Sequence, residues 1–213
     1  QIRDQDILLL GEIHDNHRHH ALRGLLLRDL IDSEPYVVAE HLTYGKAYRK
    51  QGELPDDLAA AGFDTKAWDW PTHLQLFEPI TKYDIPLVGG NLPVETARRI
   101  VREGEAALPP ELAELLRQSP LAESARDALD QDLMEGHCGH LKPDRLPNMR
   151  LAQRARDGAM FGALRSAPRP GLKVLVAGNG HIRMDYGVPV FISRQMPQAK
   201  WMSIGFIEAQ ENL

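Results

Sequence analysis

The sequence predicts an α/β protein, a mostly parallel sheet flanked by helices with a smaller helical insertion, and three observations carry that expectation. Short aliphatic runs alternate with longer stretches of helical periodicity, the pattern of strands joined by crossover helices. Each aliphatic run of the first four stops at a polar or glycine-bearing group. A long stretch, residues 109–165, holds helical patterns and no strand pattern. With 213 residues, 43 % of them hydrophobic, the chain can bury one ordinary globular core.

Residues 7–10 form a compact aliphatic run closed by Gly11 and read as the first strand. Residues 17–31 read as a helix with Leu22, Leu25, Leu26 and Leu30 as its apolar stripe. Residues 36–39 are the second strand, ending in Glu40. Residues 44–77, with Pro55, Gly62 and Trp68-Asp69-Trp70-Pro71, read as an irregular or helical excursion. Residues 86–88 are a third strand, ending in Gly89-Gly90-Asn91. Pro93 then opens a helix carrying Val94, Ala97, Ile100 and Val101 and closed by Gly104, with proline in its first turn and glycine after its last. Residues 109–116, 124–135 and 143–164 read as three amphipathic helices. The last bears a stripe of Met149, Ala152, Arg156, Ala159, Met160 and Ala163, with Gln153 and Asp157 beside it, and such a stripe reads as core. Residues 173–177 are a fourth, β-branched strand ending in Gly178-Asn179-Gly180-His181. Residues 188–192 and 201–207 are expected to close the sheet. The expected organisation is an α/β main domain, residues 1–108 and 166–213, with a helical insertion subdomain, residues 109–165.

The charge balance, 25 basic against 30 acidic residues for a net of −5, lacks the basic footprint of a nucleic-acid binder. The single cysteine, Cys138, excludes an internal disulfide and any multi-cysteine metal cage. Metal chemistry would therefore use nitrogen and oxygen donors, and nine histidines supply them. No run approaches the roughly 18 apolar residues of a membrane span. The chain opens on Gln1 rather than Met, which predicts that a leading segment has been removed.

Open parallel sheets bind ligands at the carboxyl ends of their strands. In this chain those ends carry Gly11-Glu12-Ile13-His14, Glu40-His41, Gly89-Gly90-Asn91 and Gly178-Asn179-Gly180-His181. Glycines at 89, 90, 178 and 180 let a ligand approach the main chain. His17 and His20 share a helical face and could ligate a metal, but a solvated first turn is the expected reading. His137, Cys138 and His140 are explained by a helix end at Gly139. His73, near Trp70, reads as structural. Residues 181–189 form the densest polar loop, with His181, Arg183, Asp185 and Tyr186 within six residues.

Several blocks together resemble the ChaN-type haem-binding proteins of the Tiki superfamily: residues 10–16 from Leu10 to Asn16, Glu40, Gly90-Asn91-Leu92-Pro93, His137-Cys138-Gly139, residues 152–157, and residues 178–189. They run in family order along nearly the whole chain. Phe77 stands where that family has tyrosine before Glu78-Pro79-Ile80, and His140 where it has an apolar residue. The resemblance implies an exported haem-uptake protein, periplasmic or held at the outer membrane by a lipid anchor outside this chain. It also implies a homodimer that holds haem between two copies through a tyrosine, and a haem transport system as partner. A phenolate is a hard anionic donor suited to ferric iron. Tyr186 is the expected ligand, with His181 and Arg183 beside it to acidify the phenol, and Tyr44, Tyr48 and Tyr83 are the alternatives. His14 and Met184 complete the expected haem contacts, with Met149 or Met160 as further apolar wall, and Arg183 can pair with a propionate. The second reading is a hydrolase in the same crevice: His14, Glu40 and His181 holding a metal with Glu12 as general base, or the same four residues cleaving an ester without metal.

Overall fold

The computed structural model describes residues 2–136, 141–168 and 171–208. Five parallel strands, β1 (Ile7–Leu10), β2 (Tyr36–Thr43), β3 (Leu87–Asn91), β4 (Lys173–Val176) and β5 (Trp201–Ile204), form one sheet in the order β3-β2-β4-β1-β5. Eight α-helices among the described residues flank it: α1 (His17–Asp29), α2 (Leu54–Ala60), α3 (Leu74–Lys82), α4 (Val94–Glu103), α5 (Pro110–Gln118), α6 (Glu123–Gly136), α7 (Leu146–Ser166) and α8 (Val188–Gln195). The α/β architecture expected from alternating runs is present. None of the helices is long and apolar enough to cross a membrane.

Strand alternation divides the core. Leu8, Leu10, Val37, Ala39, Val174 and Val176 face the layer containing Leu27, Leu76, Phe77 and Ile80 of α1 and α3. Ile7, Leu9, Val38 and Leu175 face the other layer, with Ala155, Ala159, Met160, Phe161 and Leu164 of α7 and Phe191 of α8. The Met and Ala stripe of α7 is indeed core at Ala152, Ala159, Met160 and Ala163, and α7 packs on β2, β3 and β4.

Two expectations are corrected. Residues 188–192 form helix α8, not a strand. Gly187 caps it and Pro189 sits in its first turn, where a missing N–H costs nothing, and a short buried apolar run has no periodicity that separates helix from strand. Only part of the leucine stripe of α1 is buried: Leu22 and Leu25 are 48 % and 45 % exposed, while Leu30 and half-buried Leu26 pack on the core beside the inward-facing His19, His20, Arg23, Gly24 and Leu27. Gly24 sets that orientation, because a Cβ there would lie 2.1 Å from the Gln75 carbonyl of α3. Helix α1 is thus pressed against α3 through a glycine and presents imidazoles and a guanidinium to the end of the sheet.

This rotated face gives a stability prediction. Gly24→Ala should lower the unfolding free energy by about 1–3 kcal/mol, the range for overpacking. Leu22→Gln should change it by less than about 0.5 kcal/mol, as at an ordinary surface position. Urea unfolding of both variants checks the pair; a large loss from Leu22→Gln would restore the leucine face as the packed one.

Candidate functional site

Register delivers the site. Leu10 and Ala39 both pair with Val176, so Gly11, Glu40 and Ala177 follow as one row and Glu12, His41 and Gly178 as the next. Alternation then sends Glu12 and His41 toward α1 and α3, and Glu40 toward α7. Two buried polar clusters result, on opposite faces of one sheet edge.

On the α1/α3 face, the Glu12 carboxylate is the hub. Its Oε1 accepts from His14 Nδ1 at 2.8 Å and from His41 Nε2 at 3.0 Å. Its Oε2 forms an ion pair with the fully buried Arg23 guanidinium and lies 2.9 Å from His20 Nδ1. His20 donates through Nε2 to the His14 carbonyl at 3.0 Å, which leaves Nδ1 as the lone-pair nitrogen, and that nitrogen accepts from Arg23 at 2.9 Å. His73, the residue capping α3, brings Nε2 within 4.0 Å of Glu12 Oε1. Rings of His20, His41, His73, Trp68, Phe63 and Phe77 pack around the carboxylate. Burial keeps the inner imidazoles neutral: it pulls His20 down, His41 well down, and His73 down to about 2, with neighbouring cations adding to the last two. Burial also pulls Arg23 down to about 9. Only His14 reaches solvent, with about half of its ring open.

On the α7 face, His181 lies between two carboxylates. Its Nε2 is 3.2 Å from Glu40 Oε1 and its Nδ1 donates to Asp157 Oδ1 at 2.6 Å, with Gln153 Nε2 alongside at 3.3 Å. Glu40 Oε2 accepts from the Gly178 amide at 2.7 Å. Burial disfavours the imidazolium, but Glu40 and Asp157 outweigh it and lift His181 to about 10. The same charge overcomes burial at Glu40 and holds it well below the usual carboxylate range, while burial leaves Asp157 raised. The clusters meet at Gly178, where a Cβ would lie 2.8 Å from the His14 ring.

The strand-end glycines are corrected accordingly. Gly89 faces the Thr43 carbonyl and Gly90 faces Val38 and Met160, so these two serve close packing, as Gly178 does, and not ligand approach; only Gly180 is open. Of the expected His14, Glu40 and His181 metal face, Glu40 and His181 lie together on the α7 side, with His14 on the Glu12 side of Gly178. The groups whose ligand atoms converge are Glu12 with His14 and His41, and Glu12 with His20 and His73. A solvated first turn holds for His17 but not for His20, which is fully buried. His137, Cys138 and His140 lie outside the described residues.

Tyr186, Arg183 and Met184 assemble away from the histidines, around an open hollow of about 420 Å³ shared with Asp132, Ile182 and Ile207. Met184 and Ile207 are 70 % and 78 % exposed. The Tyr186 side chain is almost wholly covered, its hydroxyl donates to Asp132, and Arg183 stacks 4.8 Å from its ring while gripping Asp185 through two bonds of 3.0 and 2.7 Å. The expected acidification of the phenol is corrected: burial and the Asp132 charge raise its pKa, and Arg183 offsets only part of that. Of the other tyrosines, Tyr83 lies with Tyr36 and Pro86 at the amino ends of β2 and β3, and the Tyr48 amide donates to the Leu87 carbonyl at that same end. Tyr44 follows the carboxyl end of β2.

Sequence reasoning missed Arg23, Asp132 and the roles of His20, His41, His73, Gln153 and Asp157. The available signal was His20 and Arg23, three apart on one helix face and just after a strand-end carboxylate.

Fold and site together define an all-parallel α/β protein whose titratable groups gather at the carboxyl edge of the sheet. Residues 1–192 match the family described as haem-binding uptake, Tiki superfamily, ChaN, and the chain belongs to that family. A solved structure, described as cofacial haem binding to ChaN of Campylobacter jejuni, has 18 % sequence identity and a TM-score of 0.77, covering 99 % of this chain and 85 % of that one; the likeness is one of fold. No curated protein matches the chain.

The charged His181 predicts a pH dependence. Its folded pKa, about 10, exceeds the unfolded value of 6.5, so its stabilisation is complete below pH 6.5 and declines as pH rises toward 10. The slope there can reach about 1.4 kcal/mol per pH unit. His181→Gln should flatten that alkaline decline in urea unfolding at pH 6 to 10; an unchanged slope would mean that the imidazole is neutral in the folded protein.

Proposed function

We propose that this chain binds haem for uptake, holding it between two copies through the Tyr186 oxygen. The observation that carries the reading is the hollow beside Tyr186, where exposed Met184 and Ile207 give an apolar porphyrin face next to the Arg183 cation. Haem fits this donor set: the phenol offers a hard oxygen for ferric iron, and Asp132, already accepting its hydrogen bond, stands where the phenol proton would go. The hollow is shallow and open, so a flat ligand lying in it keeps one side outside, and a second copy of the chain would cover that side. Arg183 would pair with a propionate by exchanging Asp185, which is partly exposed. His181, buried between Glu40 and Asp157, and His14, half open beside Glu12, stand outside the lining of this hollow. Export and delivery to a haem transport system belong to the same proposal and rest on the family.

His14 favours a second reading. Its ring is half open and oriented by the buried Glu12, the arrangement of a general base held by a carboxylate. Glu12 and His14 would then serve ester cleavage, with Glu40 and His181 behind them.

Haemin titration tests the first reading. A saturable Soret change of tyrosinate type and a doubling of mass are expected, and Tyr186→Phe should weaken binding by about tenfold or more, on the scale of losing one charged contact. Because ligation passes the phenol proton by way of Asp132 to solvent, affinity should rise with pH through the neutral range, by up to about tenfold per unit. No Soret change with stoichiometric haemin removes the proposal; an unaltered spectrum in Tyr186→Phe moves the ligand elsewhere, Tyr44 first. Hydrolysis of a nitrophenyl ester that is lost in His14→Ala would instead support the second reading.

A further inference from the structure

The Glu12 cluster holds more donor atoms than its hydrogen bonds use. Among the described residues, neither ring nitrogen of the buried His73 has a hydrogen-bond partner, nor do the buried His41 Nδ1 and Arg23 Nε. Leaving such groups unpaired costs about 1–3 kcal/mol each. His20 Nδ1 and Glu12 Oε2 lie 2.9 Å apart. The Nε2 bond of His20 to the His14 carbonyl has already given Nδ1 the lone pair, so both atoms are acceptors turned toward one point. Two acceptors that close require a cation between them, a place the Arg23 guanidinium takes here. A bound histidine that donates its other N–H to a backbone carbonyl is the usual support of a metal ligand.

We propose that Glu12, His20 and His73 form a buried site for a first-row divalent metal ion of the zinc type. The ligand atoms lie within 4.8 Å of one another, and all three residues are buried. Bonds of about 2.0–2.1 Å to nitrogen and oxygen would draw them together by small side-chain rotations. The donors are two imidazoles and a carboxylate, a nitrogen and oxygen set that suits such an ion. The site is structural. It ties the end of β1, through Glu12, to α1, through His20, and to the cap of α3, through His73, across the contact where Gly24 meets Gln75. Arg23 competes with the ion, because its guanidinium contacts the same two acceptors, Glu12 Oε2 and His20 Nδ1. This site shares Glu12 with the strand-edge crevice but uses neither His14 nor His181, and it is independent of haem binding.

The test uses the haem-free chain, confirmed by the absence of a Soret band, titrated with Co²⁺ and with Zn²⁺. One Co²⁺ per chain should give a visible d–d spectrum, Zn²⁺ should displace it, and Zn²⁺ should raise the melting temperature. His73→Gln should lose at least about tenfold in Co²⁺ affinity, the scale of a lost contact in a metal site, while His14→Gln and His181→Gln retain it. Arg23→Met should bind more tightly than the parent chain, since the competing cation is gone. X-ray absorption of the Zn²⁺ complex of the unmutated chain should show two imidazoles and a carboxylate, which keeps the test open if a variant fails to fold. No Co²⁺ spectrum and no thermal shift in the unmutated chain would overturn the proposal and leave Arg23 as the only cation of the cluster. Loss in His14→Gln with retention in His73→Gln would overturn it in favour of Glu12, His14 and His41. Haemin binding by the same preparation is read separately, so failure of one proposal does not count against the other.

Discussion

The carboxylate of Glu12 is buried at the end of β1, and the surrounding architecture follows from the need to compensate it there. An uncompensated buried charge costs several kcal/mol, and breaking a buried pair typically costs about 3–5. The compensation comes from Arg23 and from the N–H groups of His14 and His41. Bringing Arg23 to Glu12 requires α1 to turn His20 and Arg23 inward beside Leu27 and Leu30, which leaves Leu22 and Leu25 outside. That rotation is held by Gly24 lying against the backbone of α3. A single strand-end carboxylate therefore dictates the orientation of one helix and the identity of the residue where it meets the next.

Pleat alternation then keeps two similar sets of groups apart. Glu12 and Glu40 end adjacent rows but point to opposite faces, so one carboxylate collects neutral imidazoles and an arginine while the other collects a charged imidazole and a second carboxylate. The two environments polarise histidine in opposite senses. Desolvation without a close anion of its own leaves His73 neutral, whereas His181, as deeply buried, is held charged by Glu40 and Asp157. Gly178 is the point of contact, and its missing side chain lets His14 cross the edge.

Much of this was legible in the sequence, and what was not had specific causes. Four strands and the polar groups closing them could be read because each aliphatic run is short, uniform and punctuated by glycine or a carboxylate. Glu12, His14, Glu40 and His181 were singled out correctly as strand-end residues, but their facing was not visible, since it depends on register between β1, β4 and β2 that no local pattern encodes. Helix α8 escaped because a buried helix of eight residues with an apolar start looks like a strand. The face of α1 is rotated from the expected stripe because hydrophobic spacing is a full guide only where the core is apolar, and here a buried charge leaves Leu22 and Leu25 outside while Leu26 and Leu30 still pack. Asp157 and Asp132 became meaningful only once α7 and α6 had brought them to His181 and Tyr186.

The haem reading depends on a surface separate from both clusters, the hollow of Arg183, Met184, Tyr186 and Ile207. Family membership and this apolar, cation-bordered phenol site point the same way. The most direct measurement is a crystal structure of the haemin complex with the iron located by its anomalous scattering. The account predicts iron bonded to the Tyr186 oxygen, with the porphyrin lying against Met184 and Ile207 and a second copy of the chain over its other face. Iron bonded to any other side chain, or a porphyrin seated elsewhere on the protein, would contradict it.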